Sequence, residues 1–136
     1  MDQVNQHIFT VYGSPVAQGR PRFVRRGNFV GTYDPANSRD WKRTVQSQLL
    51  TALDDKPEIH EGALSLQLHF YLPRPKSLPK RAKDHIKKPD VDNLAKGVKD
   101  AMKGIVYRDD SQVVELLVRK EYNTTPRVVI GVEMIE

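Results

Sequence analysis

Between residues 64 and 72 the chain reads LSLQLHFYL, in which Leu64, Leu66, Leu68, Phe70 and Leu72 alternate with Ser65, Gln67, His69 and Tyr71. Successive side chains of a strand leave on opposite faces, so this alternation predicts a strand with one dry face and one wet face. A strand of that kind needs neighbouring strands and a layer that covers its apolar side. The remaining pattern offers both. His7–Gly13 (HIFTVYG) carries Ile8, Phe9, Val11 and Tyr12 and is stopped by Gly13-Ser14-Pro15, which predicts a second strand. Two further β-rich runs, Gln112–Tyr122 and Pro126–Ile135, are separated by Asn123-Thr124-Thr125, which reads as a hairpin turn.

Two segments have helical spacing instead. From about Ser38 to Leu53, the residues Trp41, Val45, Leu49, Ala52 and Leu53 form one apolar stripe, with Asn37 or Ser38 available as N-cap. Trp41 reads as a core residue, and Asp54-Asp55-Lys56-Pro57 as the turn that ends the helix. From about Asp90 to Lys103, the stripe is Val91, Leu94, Ala95, Val98, Ala101 and Met102, and Gly104 suits the left-handed residue after a helix. Gly97 costs about 1 kcal/mol inside a helix and marks a close approach of some other backbone. The expected fold is a single α+β domain over residues 1–136, a mixed, mostly antiparallel sheet with two main helices packed on it.

The chain has 22 Lys+Arg against 17 Asp+Glu, a net charge of +5, which favours a polyanionic partner without identifying one. Its basic residues are concentrated. Arg20, Arg22, Arg25 and Arg26 fall within seven residues, around a hairpin expected at Arg25-Arg26-Gly27-Asn28. Residues 73–88 (PRPKSLPKRAKDHIKK) carry Arg74, Lys76, Lys80, Arg81, Lys83, Lys87 and Lys88 with three prolines and no aromatic. That composition predicts a loop or mobile flap able to contact phosphate rather than to stack on bases. With no cysteine, a disulfide framework and thiolate-ligated zinc are excluded. The four histidines, His7, His60, His69 and His85, show no ligand spacing in sequence. No run approaches a membrane span and no leader is evident, so a cytoplasmic protein is expected.

Against this basic background stand two acidic pairs, Asp90/Asp92 and Asp109/Asp110, at either end of the second helix. In a continuous helix Asp90 and Asp92 point about 200° apart, so they converge only if Asp90 precedes the helix. The plain reading is a helix cap, a residue favouring the helix dipole, an Asp92–Lys96 surface pair and an acidic turn. The other reading returns Asp109/Asp110 beside Asp90/Asp92 to hold a metal ion. An all-carboxylate set with no His or Cys suits Mg²⁺ or Mn²⁺ rather than Zn²⁺, and Lys96 stands where it can neutralise charge on a phosphate.

The stretch Asp90-Val91-Asp92-Asn93-Leu94-Ala95-Lys96, followed by Asp100-Ala101 and Asp109-Asp110-Ser111-Gln112-Val113, resembles the RusA family of Holliday-junction resolvases. Gly13-Ser14-Pro15, Gly19-Arg20-Pro21-Arg22 and Tyr33 are similar to that family as well. The resemblance implies that Asp90, Asp92 and Asp110 are metal-binding carboxylates, that Lys96 is the catalytic lysine, and that Asp109 supports them. It further implies a homodimer that resolves four-way DNA junctions with Mg²⁺. Two alternatives stand beside it. One is a non-catalytic basic nucleic-acid-binding protein; the other is a metal-dependent nuclease of flaps or duplex, which shares the site and differs in substrate shape.

Overall fold

The computed structural model describes residues 6–18, 22–26, 29–33 and 36–135, the stretches 22–26 and 29–33 as backbone only. Gly19, Arg20 and Pro21 of the arginine-rich arm, the turn residues Gly27 and Asn28, and Asp34-Pro35 lie outside the described residues, as do the side chains of Arg22, Arg25 and Arg26. The described elements run β1 (Gln6–Tyr12), β2 (Arg22–Arg26), β3 (Phe29–Tyr33), α1 (Ala36–Ala52), β4 (Leu64–Pro73), α2 (Val91–Met102), β5 (Val113–Asn123) and β6 (Arg127–Met134). A 3-10 turn at Asp110–Gln112 leads into β5.

The alternating segment does what its pattern requires. Leu64, Leu66, Leu68, Phe70 and Leu72 of β4 are all buried, and β4 lies inside a four-stranded sheet of order β1-β6-β4-β5. The β1–β6 and β6–β4 pairs are antiparallel and β4–β5 is parallel, so the fold is α+β with a mixed sheet. The covering layer is the two helices. Trp41, Val45 and Leu49 of α1 and Leu94, Val98, Ala101 and Met102 of α2 share one core with the inner face of the sheet. Each buried Val, Leu or Met among them contributes about 1.5–3 kcal/mol by leaving water. β2 and β3 form a separate two-stranded hairpin.

Three expectations change. Asn123-Thr124-Thr125 is not a hairpin turn: β5 and β6 flank β4 on opposite sides, so the connection passes over the end of β4. Three residues suffice, because two strand spacings are only about 10 Å. The crossing is pinned by Asn123 Oδ1, which accepts from Thr125 N and Arg127 Nη1 at 2.8 and 3.1 Å, while Arg127 lies 3.8 Å over the Tyr71 ring of β4. Helix α1 begins at Ala36, so Asn37 and Ser38 sit within its first turn rather than capping it, and Ala52 is exposed at its end. The 73–88 segment is docked rather than loose. Tyr122 N donates to Lys83 O at 2.9 Å beside an antiparallel backbone pairing of Asp84 with Glu121, so the segment covers part of the β5 edge.

Gly97 has its neighbour. A Cβ there would lie 3.6 Å from Val16 O and 3.7 Å from Gln18 N, and Gln18 N donates to Asn93 O at 3.0 Å. The stretch after β1 therefore runs across α2.

A groove between α2 and β5

The helix begins where the chemistry of the motif requires. Asp90 is extended (φ −75°, ψ 152°) and occupies the N-cap position, yet its carboxylate makes no capping hydrogen bond. The side chain is left to Lys88 Nζ at 3.1 Å, an exposed pair of little energetic weight. Behind it, Lys120 of β5 donates to Lys87 O and Pro89 O at 2.7 and 2.9 Å. That cation fixes the backbone that delivers Asp90.

Along α2, Asp92, Lys96 and Lys99 follow at i, i+4 and i+7 and so share one side. They line a groove of about 690 Å³ together with Val91, Ala95, Asp110 and the β5 residues Leu116, Leu117 and Val118. Val91, expected in the core, is 37% exposed and belongs to this wall.

Asp110 arrives by a tight return. Gly104 takes the left-handed conformation (φ 81°), and its N–H donates to Tyr107 O at 2.8 Å. Tyr107 is wholly buried. Its hydroxyl lies 2.8 Å from Lys99 O and 2.9 Å from Asp110 Oδ1 and shares its one proton between these acceptors, binding the last turn of the helix to the acid. Burial, then the Asp110 hydrogen bond and the charges of Asp110, Asp100 and Asp109, push this phenol far above its usual range, so it remains a donor at neutral pH.

The return reaches the far end of the helix. Seven residues, about 10 Å of helix, separate Asp92 from Lys99, beside which Asp110 is held. The side chains of Asp90, Asp92 and Asp110 are thus not gathered to within 4.8 Å of one another, as His7, Glu58 and His60 are among the described residues. Asp110 nevertheless returns to the groove that Asp92 lines. Asp109 faces elsewhere. Its carboxylate accepts from Ser111 N at 2.9 Å in a capping box completed by Gln112, and it borders a separate depression with Glu61 and Arg108. The hydrogen bonds from Ser111, with help from Lys103, hold the Asp109 carboxyl below the ordinary range.

The chain matches the family described as endodeoxyribonuclease RusA over residues 12–133. It belongs to the RusA family. It is also similar to the uncharacterized protein YqaN of Bacillus subtilis (strain 168), 44% identical over 138 aligned positions that cover 93% of this chain and 95% of that one.

Of the RusA motif positions, then, the groove collects Asp92, Lys96 and Asp110, with Asp90 at the head of the helix and Asp109 turned away. Asp100 bridges to Lys42 of α1 at 3.0 Å, joining the helices. Among the expected phosphate contacts, Lys76, Lys80, Arg81, Lys83, Lys87 and Lys88 are exposed. Arg74 is half-buried and donates to the carbonyls of Pro79, Lys80 and Ala82, so it shapes the loop from within. Tyr107 and Lys120 carry no mark in the sequence beyond an apolar triplet and an alternating strand. Their importance lies in what their polar tips reach.

Proposed function

We propose that this chain is a Mg²⁺-dependent endodeoxyribonuclease that resolves four-way DNA junctions by paired phosphodiester hydrolysis. The observation that supports it is the groove between α2 and β5, which the motif residues Asp92, Lys96 and Asp110 all line. The donor chemistry fits the ion. Mg²⁺ takes hard oxygens and commonly needs only one or two carboxylates, with water and phosphate completing the octahedron. Asp90 and Asp92 would hold it, with Mn²⁺ as a substitute, and Asp110, which lines the same groove, would be the further carboxylate. When bound, the ion supplies a water of lowered pKa and a Lewis acid for the phosphate.

The protein's own groups do the rest. Lys96 places positive charge beside the phosphate oxygens. Tyr107 holds Asp110 in one orientation, as outer partners do for metal-binding groups. Asp109 fixes the turn that presents Asp110. The exposed lysines and Arg81 of the 73–88 loop, and Arg20, Arg22, Arg25 and Arg26 of the arm, contact the DNA backbone. Each phosphate neutralised adds about −0.9 to the slope of log K against log salt. A four-way junction is cut on two strands, and this chain carries one groove. A two-fold homodimer supplies the second and matches the symmetry of the substrate. The protein acts in the cytoplasm, in DNA recombination and repair; none of its described helices is long and apolar enough to cross a membrane.

The test is an end-labelled four-way junction beside a linear duplex of the same sequence, each with Mg²⁺ and with chelator. Paired nicks in the junction alone, and only with Mg²⁺, are expected. Equal cutting of the duplex or of flaps would move the substrate, and cutting in chelator would remove the ion. In sedimentation with and without junction, a strict monomer would contradict the dimer.

A further inference from the structure

The structure gathers a second set of ligands that the nuclease groove does not use. His7, at the start of the edge strand β1, meets Glu58 and His60 of the α1–β4 connection, and one ligand atom from each lies within 4.8 Å of the other two. We infer that His7, Glu58 and His60 form a site for a divalent transition ion of the Zn²⁺ class, distinct from the groove.

Donor type comes first. Two imidazoles and one carboxylate match the borderline preference of Zn²⁺ and suit Mg²⁺ poorly. A tetrahedral ion with bonds of about 2.0–2.2 Å leaves the fourth position to water. The anchors are largely rigid. His60 N donates to Val106 O at 2.9 Å and its carbonyl accepts from Gln112 Nε2 at 2.7 Å, while Glu58 N donates to Ile105 O at 2.8 Å. His7 is paired with Val132 in the β1–β6 register and lies flat on Phe9, with ring centroids 6.1 Å apart and planes at 18°. The two imidazoles approach to 5.9 Å between centroids. Both are half-buried, whereas Glu58 is exposed. Its side chain is the movable arm that closes on the ion.

Among the described residues, no hydrogen bond or ion pair engages either imidazole or the Glu58 carboxylate, so their ligand atoms are available. The ion would clip an edge strand to the 58–62 segment. That segment is bonded through Gln112 Nε2, to His60 O and Gly62 O, to the turn that carries Asp110. The site would thus brace the segment to which that turn is bonded.

The test uses the untagged chain, stripped with chelator and titrated calorimetrically with ZnCl₂ in excess Mg²⁺, which competes for all-oxygen sites. One Zn²⁺ per chain is expected, with a raised melting temperature. That isotherm should persist in Asp92→Asn, vanish in His60→Ala and in His7→Gln, and weaken in Glu58→Gln. His7→Gln guards against a folding failure of His60→Ala, and circular dichroism of each variant without metal confirms its fold. No Zn²⁺ binding by the wild type would overturn the inference, as would binding unchanged in both histidine variants. Loss in Asp92→Asn alone would assign the ion to the groove, overturning this site while leaving the proposed nuclease intact.

Discussion

The groove and the histidine cluster are both sets of metal-ligating side chains, and they are assembled in opposite ways. The groove draws Asp92, Lys96 and Asp110 from within 19 consecutive positions, on one helix and the tight turn after it. The cluster draws on residues 7, 58 and 60, which meet only because β1 closes the edge of the sheet next to the α1–β4 connection. In the first, helix geometry sets the spacing, so function is written locally. In the second, only the packed fold sets it. The donors divide in the same way, hard oxygens with a lysine against nitrogens with one carboxylate.

Lys96→Ala separates the two most sharply. It should lower the rate of junction cutting on the order of 10²–10³-fold with Zn²⁺ binding at the histidines untouched. Full activity in single-turnover assays would remove Lys96 from the chemistry.

Tyr107→Phe asks whether the groove depends on its buried brace. The ring still fills its site, but Lys99 O and Asp110 Oδ1 lose the one proton they share. A stability loss of about 1–3 kcal/mol in urea unfolding should accompany a fall in cutting rate. An unchanged denaturation midpoint would show the phenol to be dispensable.

A smaller effect is expected at Asp109, whose carboxyl is held below its ordinary value by Ser111. A carboxyl depressed in the folded state contributes stability fully above its unfolded value, near 3.9, and loses it as pH falls through the folded value. The stability gap between wild type and Asp109→Ala should therefore be present at pH 7 and shrink below about pH 4. A gap that is constant with pH would mean the cap acts through shape rather than charge. Gly97→Ala should do least. The added methyl meets Val16 O and Gln18 N at ordinary contact distances, so the helix gains up to about 1 kcal/mol if the crossing segment holds its place. Marked destabilisation would show that the approach tolerates no side chain.

Much of this was legible in the sequence, for reasons particular residues make plain. The 64–72 alternation and the two helical stripes gave the buried faces, because burial follows period. Gly104 gave the end of α2, since it takes up the left-handed turn. The two-residue spacing of Asp90 and Asp92 showed only that Asp90 must precede the helix if the two are to converge, and the extended Asp90 meets that condition. What was not legible depended on contacts between distant positions. Asn123–Thr125 has hairpin chemistry, and only the sheet order shows the chain passing over β4. The tie between Asp110 and the last turn of α2 follows from where the Tyr107 hydroxyl bonds, which no spacing reveals. His7 and His60 looked solitary because their separation in sequence hides a contact made by the sheet edge.

The most direct trial is to compare Mg²⁺-dependent cutting of a labelled four-way junction by wild type, Asp92→Asn and Asp54→Asn. Asp54 is an acid of the turn after α1, outside the groove. Asp92→Asn should bind the junction at least as tightly as wild type, having lost a negative charge that faces phosphate, and should not cut it. Asp54→Asn should cut normally. Cutting by Asp92→Asn at the wild-type rate would contradict the account.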